Sequence, residues 1–444
     1  MRIALISMSA TRVINPEIHK LWKTLAGLHE RWTAITALPN LGLLTVAGMT
    51  PGEHEYAYFE LEDIDEFDYS QSFDLAAISC YSAQIFEAYK LSERLRARGV
   101  RTVMGGPHVS VLPEEAAEHC DAVVIGQGEV SWPQLLADCE ADQLKPFYGE
   151  LRAKFDLEQL PVPAYDLLDV SKYRRITVET SRGCPLNCEF CATSTLMMEK
   201  YRQKSGEKVL ADIDYLKTFK KRPFIEFADD NTFVRRRYWR ELLPELAKRK
   251  VRWFAEADLR VGEDKDLLRQ MRDSGCAQLL IGLESPTAEG LDGVELNTNW
   301  KMKQFKNYKE RIRTIQSHGI TVNGCFVVGF DNHTPQVFED IYNFVEETEL
   351  FEVQVTVLTP FPGTQLYERL KREGRILEDK AWHKCTLYDV NFQPKHMSPS
   401  ELQDGFFDLM QRVHANDFTN WRRNCFKKHW KADYARKRAA VTTA

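Results

Sequence analysis

Short β-rich apolar runs alternate with helix-length segments along most of the chain, and this alternation restricts the fold more than any other feature. Strands separated by helices build a parallel sheet whose faces the helices cover. The runs form two series: 2–8, 55–61, 73–80, 101–105 and 122–126, then 176–180, 224–228, 252–257, 278–283, 321–328 and 352–358. The clearest intervening helix is 84–98. There Ile85, Ala88, Leu91 and Leu95 recur at helical spacing, basic residues gather at the C-terminal end and Gly99 stands as a cap. A chain of 444 residues has room for about three units. With 43% hydrophobic residues it has ample material for their cores.

Composition also removes whole classes of function. Ten cysteines are too sparse for a secreted disulfide scaffold, and the opening Met1-Arg2-Ile3-Ala4-Leu5-Ile6 reads as a core strand, not a signal peptide. The reducing cytoplasm is therefore the expected compartment. No apolar run reaches the roughly 18 residues of a bilayer span, and a net charge of −6 gives no general attraction to nucleic acid.

The first strand series fits a flavodoxin-like, Rossmann-type sheet, whose ligand site lies at the C-terminal edge. Two glycine turns fall at that edge: Gly105-Gly106-Pro107-His108 after the fourth strand and Gly126-Gln127-Gly128-Glu129 after the fifth. They read either as tight turns or as places where backbone approaches a bulky ligand closely. The second begins like a dinucleotide fingerprint, but Ser131 stands where the third glycine belongs and Trp132-Pro133 follow, which weakens a nicotinamide reading. An insertion at 10–40 carries Trp22, Leu25, Leu28 and Trp32 near helical spacing, and a helix is expected around 41–47. The acidic stretch 60–68 lacks metal-loop spacing and reads as a solvated loop. Pro161 and Pro163 stiffen a segment that bridges the two series.

Three of the ten cysteines, Cys184, Cys188 and Cys191, stand in a Cys-x3-Cys-x2-Cys pattern on a loop leaving the strand 176–180. Three such thiolates can hold three irons of a cubane 4Fe–4S cluster and leave the fourth iron open for chemistry. Structural zinc wants four ligands, and no further Cys or His follows until Cys276. A disulfide leaves one thiol over. Cys80, Cys276 and Cys325 lie on apolar elements and read as small core residues.

The loop, with Phe190 before the last cysteine, resembles the signature of the radical S-adenosylmethionine (SAM) superfamily, and the likeness extends over about residues 170–375. Residues 1–145 resemble the cobalamin-binding domain attached to many radical enzymes, through 73–79, Gly105-Gly106-Pro107-His108, Leu112-Pro113-Glu114-Glu115 and 121–129. The Asp-x-His-x-x-Gly motif that supplies a lower axial histidine is absent. His108 is accordingly not assigned to cobalt, and the lower face of the corrin has no assigned ligand.

The resemblance implies an α/β chain with a cobalamin-binding domain at 1–145, a linker at 146–175, a partial (β/α)6 TIM-type radical SAM core at 176–375 and a helical region at 376–444. It implies 4Fe–4S, SAM and cobalamin as cofactors, with Cys184, Cys188 and Cys191 as iron ligands. Functional residues of such barrels follow the strand ends. Asp229 and Asp230 fall beside the methionine part of SAM, whose ammonium group they can accept, though an N-cap or Asx turn is the competing reading and the better one for Asn231. Arg260 is either a partner of the SAM carboxylate or a member of a surface ion pair. Glu284 and Ser285 resemble the ribose-contacting element, and Gly329 lies in the strand that admits the adenine. Gly105, Gly106, Pro107, His108, Gly126, Gly128 and Glu129 border the cobalamin.

Domain order resembles the group that includes hopanoid methylases and the anaerobic magnesium-protoporphyrin ester cyclase. The implied activity is methyl transfer to an unactivated carbon of a small molecule or lipid, fed by a flavodoxin- or ferredoxin-type electron donor. The alternatives are radical chemistry without methylation and a non-catalytic iron–sulfur protein. In the C-terminal region, Phe418, Trp421, Cys425, Phe426, Trp430 and Tyr434 fall near one helical face, with Arg422, Arg423, Lys427, Lys428 and Lys431 interleaved. Two readings stand: a helix packed on the barrel with a basic outer face, or a peripheral membrane contact.

Overall fold

The computed structural model describes the backbone of all residues except 10, 11, 26, 30–37, 51, 53, 193–199, 443 and 444, and the side chains among these up to 431. Two six-stranded parallel sheets carry it. The first contains β1 (Arg2–Met8), β2 (Glu55–Leu61), β3 (Leu75–Ser79), β4 (Arg101–Gly105), β5 (Ala122–Gly126) and β6 (Phe147–Glu150), in the order β2-β1-β3-β4-β5-β6. Its central strands are apolar on both faces, and Ile3, Ala4, Leu5 and Ile6 are all fully buried, as a sheet covered on both sides requires.

The order reverses between β1 and β3, so the crevice for a ligand opens at their C-terminal ends. Side chains brace that crevice. Asn40 donates to Ser79 Oγ (3.1 Å) and Ser7 Oγ (3.4 Å), while Gln84 donates to the Ser9 carbonyl (3.2 Å) and accepts from the Tyr81 N–H (3.1 Å). Two helices sit as expected, α2 (Leu41–Gly48) and α3 (Ile85–Arg96). The insertion supplies α1 (Pro16–Thr24), capped by Asn15; its Trp22, like Leu28 beyond it, is buried, while Trp32 lies outside the described residues.

β7 (Ile176–Val178) opens the second unit and is followed by a small hairpin, β8 (Ser181–Arg182) with β9 (Arg202–Gln203). The sheet continues with β10 (Phe224–Phe227), β11 (Arg252–Ala257), β12 (Cys276–Glu284), β13 (Thr321–Val328) and β14 (Glu352–Val357), ordered β14-β13-β12-β11-β10-β7. With β14 and β7 at opposite ends of that order, the sheet is the open, partial barrel. Its strands alternate cleanly. Ile225, Phe227, Trp253, Leu279, Ile281, Val322 and Val353 are buried in the apolar core, while Glu226, Glu256, Gln278 and Asn323 occupy the other face. At the strand starts Arg175 pairs with Glu226 (3.2 Å) and lies over Phe254 (4.3 Å to the ring centroid), and Gln278 reaches across to Glu352 (2.6 Å), which closes the bottom of the barrel.

The C-terminal region returns to both units. The segment 382–384 places Trp382 and Cys385 in the core of the first sheet. Asp389 accepts from the N–H groups of Ile14 (3.0 Å) and Asn15 (3.2 Å), and Tyr388 meets Trp22 edge-on at 5.1 Å. The long C-terminal helix Asn416–Thr442 lies against the barrel: Phe418 stacks on Tyr342, Phe426 packs on Phe351 and Trp430 covers Gly319. Its aromatic face is therefore occupied by protein, apart from the partly exposed Trp421. Arg422, expected on the basic outer face, is instead fully buried and donates to the carbonyls of Val413 (2.7 Å) and Leu350 (3.3 Å). Tyr434 lies outside the described side chains. Among the described residues no helix is long and apolar enough to cross a membrane.

Candidate functional site

The cysteine loop leaves the top of the barrel along a path fixed by carboxylates. Asp229, buried after β10, accepts from the N–H groups of Thr180 (2.8 Å) and Ser181 (2.9 Å) and from the Thr180 hydroxyl (2.5 Å). Burial pushes its carboxyl up to about 7 against those donors. Asp230 accepts from Gly183 N–H (3.0 Å), and Gly183 turns through φ 86°, a left-handed backbone suited to glycine, immediately before Cys184. Both aspartates, which sequence placed beside the methionine part of SAM, stand at the cluster loop, and what they hold in the protein is the loop's own backbone.

Three further segments grip the loop. Residues 294–296 run beside it: Glu189 N–H donates to the Val294 carbonyl (3.1 Å), Leu296 N–H to the Asn187 carbonyl (2.9 Å), and Cys188 bridges to Glu295. Glu295 accepts from the N–H groups of Asn297, Thr298 and Trp300 (3.0–3.1 Å), donors that hold its carboxyl down at about 2. Arg369 makes a bidentate pair with Glu189 (2.6 and 2.9 Å), and Phe190 packs on Phe330. Sequence reading missed Glu295, Arg369 and Lys301 because each comes from a segment over 100 residues beyond the cysteines and matches no spacing rule.

The three thiols share this loop and each acts electrostatically on another, with Cys188 pushed up to about 12 mainly by burial and Cys184 raised for the same reason. Among the described residues no three His, Cys, Asp or Glu side chains converge as a closed ligand set, so the sulfurs are neighbours without being drawn to one point. The donors nevertheless fit a soft metal cluster: three thiols on one braced loop, beside Asn231, whose Oδ1 is buried with no hydrogen-bond partner. Asn231 is therefore more than a turn residue. Its Nδ2 lies 3.7 Å from Cys184 Sγ and donates to Asp258 (3.1 Å). Asp258 in turn pairs with Arg260 (2.5 Å), whose guanidinium lies 5.0 Å over the Trp300 ring, so Arg260 is at the cluster mouth with a carboxylate partner already in place.

At the end of β12 the pairing register slips between Gly282 and Glu284, and Glu284 adopts φ 63°. This left-handed backbone costs a non-glycine residue about 1–3 kcal/mol. Its carboxylate pairs with buried Lys301 (2.5 Å). Two of the expected site residues meet protein groups here. Ser285 is fully buried, its hydroxyl taken by His333 Nε2 (3.1 Å), so the side chain is not offered at the barrel mouth. Gly329 donates to His333 Nδ1 (3.3 Å), which leaves the proton on Nε2, and a Cβ on Gly329 would come within 3.0 Å of Phe392 and Leu402. That glycine serves the close approach of the C-terminal region.

In the first sheet's turns, too, the side chains are engaged within the protein. His108 is 1% exposed, its ring nitrogens lie beside Ser82 Oγ (3.0 Å) and Glu115 Oε1 (3.4 Å), and Trp382 covers it, so its side chain is a satisfied core histidine. A Cβ on Gly106 would sit 3.0 Å from the Cys80 carbonyl, and one on Gly126 only 2.3 Å from the Glu150 carbonyl of β6. Gly128 faces Val46 and Gly105 faces Val124, while Pro107 begins the short helix 107–111. Glu129 does not face an open crevice: it pairs with Arg182 of β8 (2.5 Å), and the same guanidinium binds Gln127 Oε1 (2.8 Å) and Glu179 (2.6 Å). The C-terminal edges of both sheets therefore meet. Sequence reading also passed over Tyr81, which follows β3 at the β1/β3 crevice with 65% of its surface open.

Comparison with known proteins gives three family matches: the radical SAM superfamily over 178–345, the B12 binding domain over 33–136 and a domain of unknown function, DUF4070, over 364–442. The bacteriochlorophyllide d C-12(1)-methyltransferase of Chlorobaculum tepidum is 28% identical over 370 residues, covering 80% of this chain and 79% of that protein. The hopanoid C-2 methylase of Rhodopseudomonas palustris is 28% identical over 358 residues, 77% of this chain and 66% of that one. Among solved structures, the radical SAM methyltransferase TsrM from Kitasatospora setae, with cobalamin and a 4Fe–4S cluster bound, superposes with a TM-score of 0.62 at 14% identity over 91% of this chain and 85% of that one.

Proposed function

We propose that this chain, whose residues 178–345 match the radical SAM superfamily and residues 33–136 the B12 binding domain, is a cobalamin-dependent methyltransferase that moves a methyl group to an unactivated carbon of a small-molecule or lipid substrate. The observation that carries this reading is the Arg182 junction. It joins the Gln127–Glu129 turn of the first sheet to the strand that launches the cysteine loop, so two cofactor edges share one space.

In this reading Cys184, Cys188 and Cys191 hold three irons of a 4Fe–4S cluster, and Asp230, Arg260 and Glu284 border SAM beside it. The cluster and SAM supply the hydrogen-abstracting radical, and the corrinoid supplies the methyl group. The chain's own residues position and shield. Asp229 and Asp230 fix the backbone on which Cys184 rides, and Asn231 offers its buried Oδ1 to an ammonium donor. Glu256 faces the barrel interior with its carboxyl pushed up to about 8 by burial and by Glu226, so it keeps its proton at neutral pH. Backbone at Gly105, Gly106, Gly126 and Gly128, with the Tyr81 ring, forms the wall toward the corrinoid.

We place the protein in the reducing cytoplasm, where cysteines outside disulfides persist, served by a one-electron donor of the flavodoxin or ferredoxin class. A membrane contact would fall to Trp421 and the outer basic residues of the C-terminal helix alone. Anaerobically reconstituted protein given dithionite as electron donor, cobalamin and methyl-labelled SAM is expected to release 5′-deoxyadenosine and to place label on the corrinoid. Release of 5′-deoxyadenosine with no retained corrinoid and no transferred label would overturn methylation in favour of cyclisation or rearrangement. No 5′-deoxyadenosine at all would overturn radical catalysis.

A further inference from the structure

The buried pair Lys301–Glu284 is built at some cost beside the cysteine loop, and the established chemistry of the site does not account for the lysine. Lys301 is 7% exposed. Its ammonium donates to Glu284 Oε1 (2.5 Å) and to the Gly282 carbonyl (3.2 Å). Three separate features make room for this. Glu284 takes a left-handed backbone, the β12–β13 register slips at that point, and residue 282 is glycine. A Cβ there would lie 2.6 Å from the Glu284 carboxylate and 3.2 Å from the Lys301 ammonium. The lysine arrives from the segment that bridges Cys188 through Glu295, whose carboxylate fixes the N–H of Trp300 next door.

Two unit charges this close, away from water, are held at a desolvation cost of several kcal/mol per ion, and such pairs are weak devices for stability. Their effect on a neighbouring redox group is direct. A cation stabilises the more negative, reduced state, an anion destabilises it, and screening by solvent is small when both are buried.

We propose that Lys301 is the positioning residue that holds Glu284 in place and balances its negative charge beside Cys188, so that the cluster can accept an electron. This rests on the reading of Cys184, Cys188 and Cys191 as iron ligands. The step concerned is a one-electron reduction: the external low-potential donor loses one electron, the cluster gains it, and no bond or proton changes place.

The test is a redox titration of the reconstituted, SAM-free full-length protein with dithionite, following the reduced cluster by electron paramagnetic resonance. Lys301→Met leaves Glu284 uncompensated and is expected to lower the reduced fraction at a fixed poise about tenfold, a midpoint 59 mV more negative for one electron. Glu284→Gln removes the anion and is expected to shift the midpoint the other way. The double substitution is expected to return it toward the starting value, a compensation that simple loosening of the fold does not produce. Unchanged midpoints in the Lys301→Met and Glu284→Gln variants, with iron and sulfide content intact, would overturn the proposal. If the unsubstituted protein takes up no cluster, the reading of the cysteines fails instead, and the two failures are told apart by iron content alone.

Discussion

Residue by residue, the site is governed by carboxylates whose roles differ with their surroundings. Glu295, fed by backbone donors, stays ionised far into acid, whereas Glu256 keeps its proton to about pH 8. The second has a consequence for stability. A free glutamate ionises near 4.5, so between about pH 4.5 and 8 the unfolded chain loses a proton that the folded chain keeps, and stability falls as pH rises through that window. Glu256→Gln is expected to remove this component. Its melting temperature should match that of the unsubstituted protein near pH 4.5 and exceed it by a few degrees at pH 9, as thermal denaturation followed by circular dichroism will show. At this scale the cysteines, the aspartates after β10 and Glu284 were legible, since they follow strand ends in a readable order. The contacts that His108, Ser285 and Gly329 make within the protein were not. A histidine satisfied by Ser82 and Glu115 and a glycine that admits Phe392 look the same in sequence as ligand contacts, because the groups that occupy them come from distant parts of the chain.

At the scale of elements the correspondence is close where the pattern is long. The eleven expected strands all occur, shifted by no more than two residues at either end, because each is an apolar run bounded by turn residues. What escaped is short: β6 has four residues, three of them exposed, and the β8–β9 hairpin has two residues per strand, too few to show a period of two. Yet the hairpin carries Arg182, which holds the two units together at their functional edges. Arg182→Met would leave Glu129 and Glu179 without their guanidinium, and loss of one partner from a buried pair typically costs about 3–5 kcal/mol. If the junction aligns the two cofactor edges, label transfer from SAM to the corrinoid should fall at least tenfold while 5′-deoxyadenosine release persists. An equal loss of both would mean that the arginine serves only folding.

For the molecule as a whole, the C-terminal region is a third partner to both sheets. Trp382 closes over His108 and Tyr367 and donates from its indole to Glu115 (3.1 Å), so the last part of the barrel unit completes the core of the first. Trp382→Ala should destabilise the protein by about 3–5 kcal/mol, and differential scanning calorimetry should place the loss in the unit formed by β1–β6. The stitch of Asp389 to the N–H groups of Ile14 and Asn15 carries the same dependence across 374 and 375 positions of chain. During synthesis at about 5–20 residues per second, the turn that begins α1 must wait roughly 20–75 s before its carboxylate partner leaves the ribosome. A nascent chain halted before residue 389 should therefore expose the insertion to protease even when β1 to β6 are already paired, so the N-terminal cofactor edge reaches its final form only after Asp389 has been made.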